Sequence, residues 1–181
     1  TYFWEKIKDK VQGKTMVEAA LEINHWCAGE VMYQGTDMRT GSALEIYRSG
    51  VGRCGEEAVF VVNVMRSAGI PARPVYVPRW SHCDDNHAWV EVWCDGDWHY
   101  LGACEPEAVL DKGWFTNAAS RAMMIGSRWY DRAMPDEKVI GKDGMNRIIN
   151  LLGKYAKTRW ITITVEDLDG TPAAGAKVQA E

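Results

Sequence analysis

The stretch Cys54–Ala68 constrains this chain most. Val59, Val62 and Met65 repeat at helical spacing with Phe60 and Val64 beside them, which predicts a helix buried over most of its circumference. Gly69 follows at the position where a left-handed residue closes a helix, and Pro71 cannot continue one. At the other end Gly50 and Gly52 free the backbone just ahead of Cys54. The helix therefore opens on a thiol, where unpaired amides and the helix dipole favour negative charge. A helix this apolar needs a core on several sides. A chain of 181 residues with 46% hydrophobic and 25% charged content can build one such core, so one domain is the starting expectation.

Around this helix the pattern alternates between helical and extended. Residues 4–33 carry apolar positions such as Val11, Ala19, Ile23 and Cys27 at helical spacing, which predicts one or two helices, and Ala43–Arg48 predicts a short one. Residues 34–42 between them are polar and turn-rich. After Pro71, Arg73–Arg79 reads as an edge strand because of its prolines, and His87–Cys94 reads as a second strand. Asp95–Asp97 turns the chain into Trp98–Leu101. Asp111–Tyr130 has no firm period, Pro135–Asn146 reads as a loop, and Arg147–Ala156 as a helix. Arg159–Val165 is β-branched and alternating, hence a strand. It leads through a turn into the start of another strand with nothing left to pair. A lone hairpin is marginal in water, so residues 157–181 are expected to be the first strands of a truncated β-sandwich module, and the chain a piece of a longer, multidomain protein.

Several functional classes fall away. The formal net charge of −4, with none of the 21 basic residues in a run, argues against nucleic-acid binding. The longest apolar stretch, Ala58–Met65, is too short to span a bilayer, and the first residues lack a signal-peptide layout. His82, Cys83, His87, Cys94 and Cys104 supply metal-ligand types without a zinc spacing, and no Gly-Lys-Ser/Thr follows Gly52 and Gly55. No metal and no cofactor is therefore expected.

What remains is thiol chemistry. His87 opens a strand downstream of Cys54, and a base held on a sheet over a helix terminus is the arrangement a thiol nucleophile needs. His25, His82 and His99 satisfy composition equally well. The choice among the four becomes specific through a set of segments in order: Gly52–Glu56, Arg66–Arg73, His87–Glu91 and the hairpin ending in Trp98. Over about residues 45 to 107 they resemble the transglutaminase-like superfamily core. The Gly52–Glu56 stretch and Ala103–Glu105 are also similar to the peptide:N-glycanase branch. The resemblance implies an α+β, papain/transglutaminase-like fold over residues 1–156, with N-terminal helices packed on an antiparallel β-sheet. It further implies acyl transfer from an amide through a thioester on Cys54, with His87 as base.

In such a family the third catalytic member is an Asp four residues after the hairpin Trp, which here is Gly102. Glu105 is the expected replacement, ahead of Asp84 and Asp85. The oxyanion donors are expected from the Cys54 amide and an upstream side chain, Trp26 or Asn24, and substrate contacts from Arg53 and Trp89. The expected reaction is hydrolysis of an amide or peptide, and the expected partner a protein, peptide or glycopeptide substrate. Glycopeptide deglycosylation, and an inactive binding module motivated by Gly102, are the alternatives. The sandwich-like tail suggests a secreted, periplasmic or cell-surface location.

Overall fold

The Cys54 helix organises everything around it. In the computed structural model, which describes residues 2–35, 39–130, 138–159 and 161–178, it runs Cys54–Ser67 as α4. Its stop is chemical: Gly69 takes φ +79°, its N–H reaches Arg66 O at 3.1 Å, and Ile70 N–H reaches Met65 O at 3.1 Å. Those two bonds satisfy carbonyls that the helix end would otherwise leave bare. Three further helices enclose it: α1 (Tyr2–Val11), α2 (Met16–Glu30) and α3 (Ala43–Ser49). Both α2 and α3 start on capping boxes, Thr15 with Glu18 and Ser42 with Glu45, so each first turn has its amides satisfied locally. A short parallel pair, β1 (Met32–Tyr33) with β2 (Val51–Gly52), ties the end of α2 to the approach of α4.

The other layer is a six-stranded antiparallel sheet in the order β5-β4-β3-β6-β8-β7. Its strands are β3 (Ala72–Val77), β4 (His87–Cys94), β5 (Asp97–Leu101), β6 (Gly126–Tyr130), β7 (Lys138–Asp143) and β8 (Asn146–Asn150). The β4–β5 turn is Asp95–Gly96, both at positive φ, as a two-residue hairpin requires. Ala88, Val90, Val92 and Cys94 of β4 pack into the helical core with α4. Val75, Val77 and Trp89 face a second core with Trp80, Phe115 and Ile149. The central strands are therefore buried on both faces. Short helices α5 (Thr116–Ala119) and α6 (Leu152–Tyr155) close the second core.

A buried polar network also lies on β3 and β4. Arg73 and Glu91 stand opposite each other in register, with Nε 2.6 Å from Oε2. The Arg73 guanidinium lies 4.1 Å from the Trp98 ring centre, Tyr155 donates to Glu91 Oε1 at 2.6 Å, and the Trp89 indole donates to Tyr155 at 2.9 Å.

Four expectations need correction. β3 is an inner strand, not an edge. The Pro74 carbonyl accepts from Ser127 Oγ at 2.6 Å, so its missing N–H lies on the β6 side and the pairing with β4 stays whole. Residues 138–143, expected as loop, form β7, and 147–150 of the helix expected over 147–156 belong to β8, where the pairing overrides local preference, while 152–155 are helical as α6. The expected strand has no regular structure over 161–165, whose residues are exposed; among the described residues its pairing is limited to the Ala173 N–H on Val165 O at 2.9 Å and an isolated bridge between Glu166 and Pro172. Trp160 and residues 131–137 and 179–181 of the expected segments lie outside the described residues. Among the described residues no helix is long and apolar enough to cross a membrane.

Candidate active site

Cys54 begins α4, and Arg53 before it sits in extended conformation at the cap. Glu56 reaches back to the Arg53 N–H at 3.0 Å and also accepts from the Gly41 N–H at 3.4 Å, pinning the preceding loop to the first turn. A Cβ on Gly52 would lie 3.0 Å from Glu56 Cβ, so that close approach calls for glycine. The Cys54 sulfur is half-buried, and the backbone amides of Ala88 and Gly55 favour its anionic form. The first belongs to β4, one residue after His87. The strand and the helix terminus thus meet at the sulfur.

Electrostatics at the sulfur oppose the expectation of a resting thiolate. Burial pushes the Cys54 thiol above its ordinary range, and the Glu57 carboxylate adds to that. The two amides and Arg53 pull the other way but do not prevail. Desolvation exceeds the helix-end effect here because the latter is worth only a few tenths to about 1 kcal/mol at partial exposure.

His87 is the first residue of β4 and 5% exposed. Its ring lies among aromatic rings: Trp114 at 4.7 Å, Phe115 at 5.1 Å, Trp89 at 5.9 Å and Trp80 at 6.3 Å between centroids. Burial there lowers its pKa to about 4, with Asp85 pulling weakly upward. The Nε2 atom is buried and has no hydrogen-bond partner among the described residues. Cys54 and His87 are therefore each neutral at rest near pH 7.

Glu105 does not bond His87. Its carboxylate folds back over Gly102, where a side chain at 102 would stand: a Cβ there would overlap Glu105 Oε2 and lie 2.8 Å from Glu105 Cβ. Both carboxylate oxygens accept from the Trp114 indole N–H, at 3.0 and 3.1 Å. Burial raises the Glu105 pKa and this bond lowers it, with burial the larger. Nearby Glu57, buried on α4, is pushed up to about 8 by burial and by Glu105. Of the poorer alternatives, Asp84 pairs with Arg79 at 3.3 Å in solvent, and Asp85 accepts from the Asn86 N–H at 2.7 Å.

The remaining expected site residues take structural places. Asn24 clamps the turn that carries Glu105: its amide donates to Gly102 O at 2.9 Å and Glu105 O at 3.4 Å, and its oxygen accepts from the Cys104 N–H at 3.0 Å. With its NH₂ engaged in this way, Asn24 is not an oxyanion donor. Trp26 packs in the aromatic cluster with Tyr47 and Phe60, each 6.0 Å away, in the same core against which Cys54 lies. Trp89 has 0% exposure, so it cannot touch substrate; it stacks on Phe115 at 4.7 Å. Arg53 pairs with Glu56 at 3.4 Å and donates to Arg39 O at 3.1 Å, so its guanidinium is already bonded.

Two residues escaped the sequence reading. Trp114 sits in a segment without periodicity, and only tertiary contacts place it: Asp111 returns to β5 through the Tyr100 N–H at 2.9 Å and His99 at 2.6 Å, bringing Trp114 over His87. Glu57 looks like an ordinary first-turn acid until its burial is known.

A family model described as "Transglutaminase-like superfamily" matches residues 5–103, more than half of the chain. Among solved structures, LapG of Legionella pneumophila is 17% identical with a TM-score of 0.48, covering 59% of this chain and 64% of that one. A candidate cysteine protease from Cytophaga hutchinsonii is 20% identical with a TM-score of 0.46, over 81% of this chain and 57% of that one. A candidate protease from Parabacteroides distasonis is 17% identical with a TM-score of 0.52, over 70% of this chain and 25% of that one. The chain thus spans less than two thirds of each of these proteins. No curated protein matches it.

Proposed function

Because the chain belongs to the transglutaminase-like superfamily, we propose that it is a cysteine-dependent hydrolase of amide or peptide bonds, with Cys54 as nucleophile and His87 as base. One observation carries the reading: Cys54, the first residue of α4, packs on the core that holds Ala88, the residue after His87 in β4, and the Ala88 amide favours the sulfur anion. His87 takes the thiol proton as sulfur bonds the carbonyl carbon, and the carbonyl electron pair moves onto oxygen. Collapse breaks the C–N bond, and the departing amine takes the proton from His87. Water, giving its proton to His87, then attacks the thioester; the C–S bond breaks and the sulfur is reprotonated. The sum is amide plus water to acid plus amine. The Cys54 amide at the start of α4 supplies one oxyanion donor, and Glu105 takes the place of the family's third member from above Gly102.

The test is a proteome-derived peptide library digested in H₂¹⁸O and read by mass spectrometry. Wild type should give carboxylates carrying one ¹⁸O, as new C-termini or deamidated Gln, and Cys54→Ala and His87→Ala should give none. Products that persist in Cys54→Ala would overturn the assignment. No product from wild type would favour the binding-module reading, which the partnerless Nε2 of His87 supports. Free glycan released from a denatured Asn-linked glycopeptide would narrow the substrate to the glycanase class.

A further inference from the structure

The residue that holds the His87 imidazole deserves an assignment, because no carboxylate among the described residues bonds it. Among the described residues Nε2 has no hydrogen-bond partner, and Glu105, the expected orienting acid, spends both oxygens on the Trp114 indole. Among the described residues Trp114 has the ring nearest to His87, 4.7 Å between centroids and tilted by 52°. It is also 64% exposed, with its ring edge-on to buried Phe115 at 5.8 Å and Trp80 at 6.4 Å. Its loop is fixed: Thr116 Oγ1 accepts from the Gly113 N–H at 3.1 Å and donates to Gly113 O at 2.8 Å, and Tyr100 bonds the same hydroxyl at 2.9 Å.

We propose that Trp114, anchored by Glu105, is the positioning residue for His87, so that carboxylate, indole and imidazole stand where a carboxylate and imidazole would suffice. The physics has two parts. For sulfur to lose its proton to Nδ1, the neutral imidazole carries its hydrogen on Nε2, and a buried N–H without an oxygen acceptor is best placed on an aromatic face. When the imidazole becomes a cation, the same face attracts it. A carboxylate on the indole N–H enriches that ring in electron density and stops it rotating away. Gly102 fits the scheme, since any side chain there would displace Glu105.

This inference rests on the Cys54–His87 reading, and the experiment separates the two. The imidazole of ¹⁵N-histidine-labelled protein is observed by long-range ¹H–¹⁵N NMR, with the His87 signals assigned by their loss in His87→Asn. In wild type the two ring nitrogens should resonate far apart, as one fixed tautomer with hydrogen on Nε2. In Trp114→Leu and Glu105→Gln they should move toward the averaged position of a ring exchanging tautomers, with Trp114→Phe between. Turnover should fall about tenfold in Trp114→Leu with KM unchanged, the size of a lost cation–aromatic contact in a dry site. His87 nitrogen shifts that stay the same in both Trp114→Leu and Glu105→Gln would overturn the assignment. That outcome is independent of whether Cys54 proves catalytic. Trp114 is exposed, so these variants are expected to fold; should Trp114→Leu fail, Glu105→Gln decides alone.

Discussion

Gly102→Ala would test how the site makes do without the family's aspartate. The added methyl would overlap Glu105 Oε2 and stand 2.8 Å from Glu105 Cβ. Rotating the Glu105 side chain removes the first conflict but not the second, since Cβ is fixed by the backbone. The turn itself must therefore shift, against the Asn24 clamp that bonds Gly102 O at 2.9 Å and the Cys104 N–H at 3.0 Å. Overpacking of this kind costs about 1–3 kcal/mol, and losing the indole bond to a carboxylate costs about 1–2 kcal/mol at a half-exposed site. Together these predict a destabilisation of about 3 kcal/mol in urea unfolding. The double variant Gly102→Ala/Glu105→Gly removes both conflicts and should recover the overpacking share, less about 1 kcal/mol for the new glycine, while the indole bond stays lost. Gly102→Ala/Glu105→Ala keeps the Cβ conflict and should recover less. Gly102→Asp, which restores the family's residue, should do worse than Gly102→Ala, because its carboxylate enters the space of Glu105 beside buried Glu57. If Gly102→Ala unfolds within about 0.5 kcal/mol of wild type, Glu105 does not occupy that space and the scheme built on it falls.

Two further substitutions probe the groups behind the site. Glu57 is pushed up to about 8; a carboxyl raised in the folded state stabilises the fold fully below its unfolded value and loses that contribution as pH rises through the folded one. Wild type should therefore lose stability between about pH 4.5 and 8, and Glu57→Gln should flatten that decline in urea midpoints measured across the window. Glu91→Leu takes the carboxylate from buried Arg73 and should cost about 3–5 kcal/mol, whereas Arg73→Leu/Glu91→Leu should cost much less, by thermal or urea unfolding.

Legibility in the sequence followed the range of the forces. The stop of α4, the Asp95–Gly96 turn and the capped starts of α2 and α3 depend on residues within one turn of each other, and each could be read or is recognisable locally. β7 and β8 depend on each other. Ile148 and Ile149 suit a helix as well as a strand until the pairing with Lys138–Asp143 is known, while Leu152, just beyond, does start a helix. Residues 161–165 have strand composition, yet the pairing beside them stops at one bond to Val165 O and one bridge, and composition alone did not extend it. The site shows the same division. Cys54 and His87 could be chosen through motif order, while the partner of His87 could not. Gly102 reads as a vacancy in the sequence; in space Glu105 fills it, and Trp114 carries the contact onward.

Burial is the quantity least visible in a sequence, and it sets the expected pH behaviour. A thiol at a helix start suggests a thiolate paired with imidazolium, which would alkylate at a constant rate from about pH 5 to 8. Here desolvation pushes the Cys54 thiol up and lowers His87 to about 4, so the resting pair is neutral across that range. Iodoacetamide labelling of Cys54 should then climb about tenfold per pH unit from 6 to 8, following the thiolate fraction, and stay slower than that of exposed Cys83. The acid limb of kcat/KM should sit near 4 rather than near the 6.5 of an ordinary imidazole, since only protonated His87 blocks the first proton transfer. A flat labelling profile between pH 5 and 8 would show that the ion pair exists before substrate arrives. A neutral pair instead requires that bound substrate, by carrying the developing oxyanion to the α4 amides, supplies the charge that makes the proton move.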